Sequence, residues 1–190
     1  MTTEQEYVRR IQQYAWEDLI DLWEAIEEGN TPDWAAGRAF EYLILRAFQL
    51  EEAYVMWPYR ITMGELVKTE SEETVEQVDG FVHTGDGLVC LVECKDYSKE
   101  SVKVEPIAKL RNQLLRRPGG VIGIAFSRSG FTDSASMLAR FSAPQIILLW
   151  GGDEIEFALR NQYFCKGLAA KYRICVAKGL PDYNITRGVL

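Results

Sequence analysis

Val121-Ile122-Gly123-Ile124-Ala125-Phe126 carries no polar residue at any position. A strand with one face in water alternates apolar with polar, so this run has to be covered on both faces. A second dense apolar run occupies residues 88–95. Between the two, Ile107, Leu110 and Leu114 recur at helical spacing and predict a helix over residues 106–117, closed by Pro118-Gly119-Gly120. Two buried strands joined by a helix need helices on both sides of one sheet, which makes the chain α/β. A helix over 132–141, a strand over 145–150 and a short helix over 154–161 continue the pattern. Residues 171–190 are ambiguous and compatible with irregular chain.

Upstream, Val8, Ile11, Ala15, Leu19, Leu22 and Ile26 lie three and four apart and predict one helix over 4–28, stopped by Gly29-Asn30. Trp16, Ile20 and Trp23 widen its apolar face, so it packs on two neighbours or on another subunit. Thr31-Pro32-Asp33 supplies an N-cap with proline at the first helical position, starting a second helix over 33–50. Tyr54-Val55-Met56-Trp57 reads as a strand bounded by Pro58. Residues 74–83 and 88–95, either side of Gly85-Asp86-Gly87, read as a hairpin. Without repeats or a long linker, residues 1–190 are read as a single domain: an N-terminal helical extension (1–30), a core (33–150) and a C-terminal extension (151–190). A chain of this length buries roughly 70% of the surface exposed when unfolded.

A net charge of −7 argues at first against a nucleic-acid partner. Its distribution does not. Residues 1–80 hold 18 acidic and 6 basic side chains, whereas residues 81–190 hold 10 acidic and 15 basic. Between 103 and 128, Lys103, Lys109, Arg111, Arg116, Arg117 and Arg128 stand against Glu105 alone. Such asymmetry marks either an anionic partner or a solvated helix face. No apolar run approaches the roughly 20 residues that span a bilayer. Met1-Thr2-Thr3-Glu4-Gln5-Glu6 lacks the basic-then-apolar pattern of a secretory signal. The expectation is a cytoplasmic protein with no membrane partner. The four cysteines form no Cys-x-x-Cys pair, and His83 is the single histidine, so no zinc set exists. A Cys–His nucleophile would lack an orienting partner.

Chemistry concentrates at Glu93-Cys94-Lys95. Strand alternation projects Glu93 and Lys95 to one face and Cys94 to the other. A carboxylate and an ammonium ending an apolar strand need pairing, solvent or a metal. Alone they would read as a surface ion pair, but Asp79 on the preceding strand joins them. With a three-residue loop, for which Gly87 can take the left-handed position, Thr84 faces Leu88 and Asp79 faces Glu93. A two-residue loop would turn Asp79 to the opposite face. Facing carboxylates repel unless a cation lies between them, which points to a hard divalent ion such as Mg²⁺. The other reading makes Asp79-Gly80 merely a turn or a strand end. Glu41 interrupts an apolar helix line shared with Gly37, Leu45 and Phe48. It is a site residue or half of a buried pair with Arg38 or Arg46.

A helix with Glu41, a hairpin with Asp79, Glu93-x-Lys95, a basic helix and a buried strand resemble, in that order, the PD-(D/E)xK restriction-endonuclease-like nucleases. Val92-Glu93-Cys94-Lys95 and Phe126-Ser127-Arg128-Ser129-Gly130-Phe131-Thr132 are most similar to the catalytic domain of Mrr-type restriction endonucleases, over roughly residues 33–150. Val78 stands where the motif's name has proline. The resemblance implies a restriction-endonuclease-like core, a mixed central sheet flanked by helices, here with an extra N-terminal helix. It implies a metal-dependent endonuclease hydrolysing DNA phosphodiester bonds, in restriction, defence or repair.

Carried residue by residue, it implies Mg²⁺ or Mn²⁺ held by Asp79, Glu93 and the backbone carbonyl of Cys94, with Glu41 as the remaining metal-site residue, touching the first ion's water shell or helping to hold a second ion. Lys95 would orient the attacking water or stabilise transition-state charge. Gln113 would be the polar residue beside the site. DNA phosphates would meet Lys109, Arg116, Arg117, Arg128 and Ser129. Thr132 either caps the helix that follows or leaves its N–H groups to a phosphate. The alternative is a non-catalytic nucleic-acid-binding or assembly module retaining the fold. The acidic, tryptophan-bearing first helix would then be a partner surface, with a homodimer through it as one form.

Overall fold

The computed structural model describes residues 3–68 and 70–187. Two helices, α1 (Glu4–Ile11) and α2 (Trp16–Glu27), stand where one extra N-terminal helix was expected. The apolar spacing runs on through residues 12–15, but the Asp18 carboxylate accepts from the Ala15 N–H at 2.7 Å and starts a new helix there. Helix α3 (Arg38–Leu50) begins after Gly37, not at residue 33. Thr31 to Trp34 close a turn instead, the Trp34 N–H donating to the Thr31 carbonyl at 3.0 Å.

Strand β1 (Tyr54–Met56) is followed by β2 (Tyr59–Thr62) and α4 (Met63–Val67), neither foreseen. The expected strand over 74–83 is broken at Asp79 into β3 (Thr74–Val78) and β4 (Gly80–His83). Strand β3 pairs with β2 in a small antiparallel sheet, while β4 pairs with β5 (Val89–Lys95) in the main one. Helix α5 (Val104–Leu114), strand β6 (Val121–Ser127), helix α6 (Asp133–Arg140) and strand β7 (Ile147–Trp150) alternate as expected. Helix α7 (Gly152–Asn161) precedes α8 (Phe164–Lys178), which corrects the irregular reading of residues from 171 onward. A 3-10 turn follows at Ile185–Arg187, and residues 188–190 lie outside the described residues.

The main sheet has the order β1-β4-β5-β6-β7, antiparallel as far as β5 and parallel from β5 to β7. It is the expected mixed sheet flanked by helices. Both faces of β6 are covered. Ile122, Ile124 and Phe126 join a core with Phe48, Trp150 and Phe164, while Ala125 faces Leu110, Leu114 and Ala135 of α5 and α6. Leu19, Leu22 and Ile26 belong to the first of these cores, and α2 touches both α3 and α7. Its broad apolar face therefore meets two neighbours within the chain. Among the described residues, no helix is long and apolar enough to cross a membrane.

One close approach places the site. A Cβ on Gly80 would stand 2.5 Å from Leu45 Cδ2, so α3 lies on β4 at a distance only glycine allows. Leu45 is one helical turn from Glu41, and Gly80 adjoins Asp79, so this contact brings Glu41 toward Asp79. Gly80→Ala is expected to cost about 1–3 kcal/mol by overpacking, read as a lower urea midpoint with unchanged slope.

Candidate active site

Four elements converge beside Asp79. The β4–β5 ladder pairs Gly80 with Val92 and His83 with Val89, a register that continues to Asp79 opposite Glu93. The Thr84 N–H donates to the Leu88 carbonyl at 3.0 Å and Gly87 has φ +91°, as the three-residue loop requires. Asp79 sits where the chain passes from the small sheet to the large one. Its Oδ2 accepts the Cys94 N–H at 3.0 Å.

Three oxygens gather on one cation. Lys95 Nζ lies 2.6 Å from Glu93 Oε1, 3.0 Å from the Cys94 carbonyl and 3.7 Å from Asp79 Oδ2. Glu93 is 1% exposed and Asp79 4%, so both carboxylates need that charge nearby. Burial works against the Lys95 ammonium, but Glu93 and then Asp79 outweigh it and hold its pKa above the ordinary value. Lys109 Nζ pairs with the other oxygen of Glu93, Oε2, at 2.7 Å. Glu93 Oε1, though beside Lys95, receives no properly directed hydrogen bond.

Glu41, on α3, stands near enough to Asp79 for their charges to interact. It pairs with Arg38 at 2.6 Å, and Arg38 also holds Glu4 at 2.7 Å. It is thus half of a pair with Arg38, the second of the two readings, and its charge also feels that of Asp79. Burial, then the Asp79 charge, push its carboxyl up to about 7, with Arg38 offsetting part. Between the ordinary 4.5 and about 7 the folded chain keeps a proton the unfolded chain releases, so stability falls as pH rises through that window. Glu41→Gln removes the titration. In chelator, urea unfolding should show the wild type losing on the order of 3 kcal/mol between pH 4.5 and 8, and the variant losing far less.

The other expected site residues are placed less simply. Gln113 is buried, its Nε2 donating to the Gln77 carbonyl at 2.9 Å. It thus ties α5 to the strand leading into Asp79. Arg116 and Arg117 both pair with the buried Glu76 of β3, each at 2.9 Å. Arg128 pairs with Asp96 at 2.8 Å, and the Ser129 hydroxyl donates to the Glu100 carbonyl at 2.6 Å. These groups fasten loops and the small sheet within the chain. Thr132 caps α6, its hydroxyl accepting the Ala135 N–H at 3.2 Å.

A cleft of about 550 Å³ opens at the carboxyl end of β5, lined by Glu93, Lys95, Tyr97, Lys103, Glu105 and Lys109, among others. Crevices at strand carboxyl ends are where α/β sheets take ligands. Sequence reasoning missed Tyr97 and Lys103 as lining residues and Lys109 as a partner of Glu93. Lys109 stands four residues before Gln113, so the same helix line carried the signal.

The donor atoms suit a hard divalent ion. Two carboxylates and a backbone carbonyl are all oxygen, and Mg²⁺ is commonly held by one or two carboxylates with water and phosphate completing its shell. Among the described residues no three His, Cys, Asp or Glu side chains form a ready metal cage. The Cys94 thiol is no competitor, because burial and then the Asp79 charge raise its pKa and keep it protonated.

No protein-family model matches the chain, and no curated protein does. Among solved structures the chain is similar to the MspJI restriction endonuclease in complex with a 27-mer oligonucleotide, at 18% identity and a TM-score of 0.43. That likeness covers 85% of this chain and 34% of the other.

Proposed function

We propose that the chain is a metal-dependent nuclease of the PD-(D/E)xK, Mrr-like kind, hydrolysing DNA phosphodiester bonds. The observation that carries this reading is the convergence of Asp79 Oδ2, Glu93 Oε1 and the Cys94 carbonyl on one point, with Lys95 Nζ at 2.6 to 3.7 Å from them. Carboxylates buried this deeply need positive charge beside them, which Lys95 supplies here and a metal ion would supply when bound. The order of elements and Val92-Glu93-Cys94-Lys95 support it.

Mg²⁺ or Mn²⁺ held by Asp79, Glu93 and the Cys94 carbonyl, with Glu41 nearby, would supply a water of lowered pKa and positive charge against the attacked phosphate. Lys95 keeps its proton and donates toward the charge that develops on the phosphate. Glu41 would face the metal's water shell and links the site to Arg38. Gln113 and the Glu76–Arg116–Arg117 group fix β3, and through it the position of Asp79. Lys103 and Lys109 supply positive charge along the cleft.

Plasmid nicking tests this. The expected result is Mg²⁺- or Mn²⁺-dependent conversion of supercoiled to open-circular DNA that chelator stops. Salt-sensitive DNA binding with no cleavage under either metal would instead favour the non-catalytic module.

A further inference from the structure

Glu93 is bracketed by two ammonium groups that differ in how they are held. Lys95 Nζ is confined by Glu93 Oε1, the Cys94 carbonyl and Asp79 Oδ2, and its side chain is 24% exposed. Among the described residues Lys109 Nζ makes one ion pair, to Glu93 Oε2 at 2.7 Å, and its side chain is 43% exposed where it lines the cleft. Asp79 and Glu93 carry two negative charges, and the two lysines balance them. A divalent ion on the same carboxylates leaves that balance two charges in excess, and repulsion falls on both lysines. Lys95 Nζ stands at the point the ion would take and has to shift from it, and Lys109, the less confined of the two, gives up Glu93 altogether. Helix α5 is itself fixed, with Leu110 and Leu114 pressed on Gly123, so on that helix only the flexible stem of Lys109 moves. The open space available to it is the cleft.

We propose that Lys109 is an exchangeable counter-ion of Glu93. Without a divalent ion it neutralises that carboxylate; with one, its ammonium turns into the cleft and receives a phosphodiester oxygen of the substrate. The inference rests on the reading of Asp79 and Glu93 as metal ligands. It makes Lys109 a competitor of the metal and a partner of the substrate at once, which no purely structural role would do.

Calorimetric titration with Mn²⁺ separates these cases, using wild type, Lys109→Met, Lys109→Arg and Asp79→Asn. Lys109→Met should bind Mn²⁺ about tenfold more tightly than wild type, because the competing charge is gone. The same variant should bind a fluorescein-labelled DNA duplex in Ca²⁺ about fivefold more weakly, and Lys109→Arg should restore most of that binding. Mn²⁺ affinity unchanged or reduced in Lys109→Met overturns the inference, as does unaltered duplex binding. If wild type takes up no Mn²⁺, or Asp79→Asn takes up as much as wild type, the metal reading of the site fails and the inference with it.

Discussion

Lys95→Ala is expected to lower metal-dependent nicking by at least about 100- to 1,000-fold, the loss typical of one preorganised group facing developing charge. The side chain reaches three oxygens of the site at once. Lys109 approaches Glu93 from the other carboxylate oxygen. Removing the ammonium also leaves Asp79 with the Cys94 N–H and Glu93 with Lys109 alone. Buried Asp79 then lacks its counter-charge and Glu93 keeps one of two, so the variant should melt lower than wild type in chelator. Added Mn²⁺ should restore more of that stability in the variant than in wild type, by mass action on the native state. Initial nicking rates and thermal melting with and without Mn²⁺ check both halves. Activity surviving near the wild-type rate would remove Lys95 from the chemistry.

A second large effect is expected far from the cleft. Lys171 is fully buried, its Nζ donating to Glu154 Oε1 and to the Tyr183 carbonyl and lying 5.3 Å from the centre of the Trp150 ring. Glu154 in turn accepts the Gly151 and Ile185 N–H groups, each at 3.0 Å. The pair thus joins the start of α7, the middle of α8 and the C-terminal turn. Burial lowers the Lys171 pKa, and Glu154 offsets part of that. Lys171→Met strands a buried carboxylate and should cost about 3–5 kcal/mol in urea unfolding. Combining it with Glu154→Gln should recover part of the loss, since no unpaired charge then remains. Two independent, additive losses would mean that the pair is not coupled as its geometry requires.

What could be read in advance follows the range of each interaction. The register placing Asp79 opposite Glu93 came from loop length and one glycine, both local. So did the alternation that puts Glu93 and Lys95 on one face, the double burial of β6 and the Thr132 cap. The break at Asp79 was not legible, because β3 finds its partner β2 across a helix that looks like loop. Nor was the break between α1 and α2, where apolar spacing persists and only a side-chain cap from Asp18 intervenes. Helix α8 was obscured by Lys171, a residue that normally marks a solvated face. The fates of Arg116, Arg117 and Arg128 were hidden for a related reason. A basic residue looks free until the acid that folds against it is known, and Glu76 and Asp96 lie 40 and 32 residues away from Arg116 and Arg128.

The most direct measurement is a crystal of the protein soaked in Mn²⁺ and examined for anomalous scattering. The account predicts a peak between Asp79 and Glu93, within reach of the Cys94 carbonyl, with the Lys95 ammonium displaced from its present position. A site that stays without a peak at saturating Mn²⁺, or a peak bound elsewhere with Asp79, Glu93 and Lys95 unmoved, would contradict it.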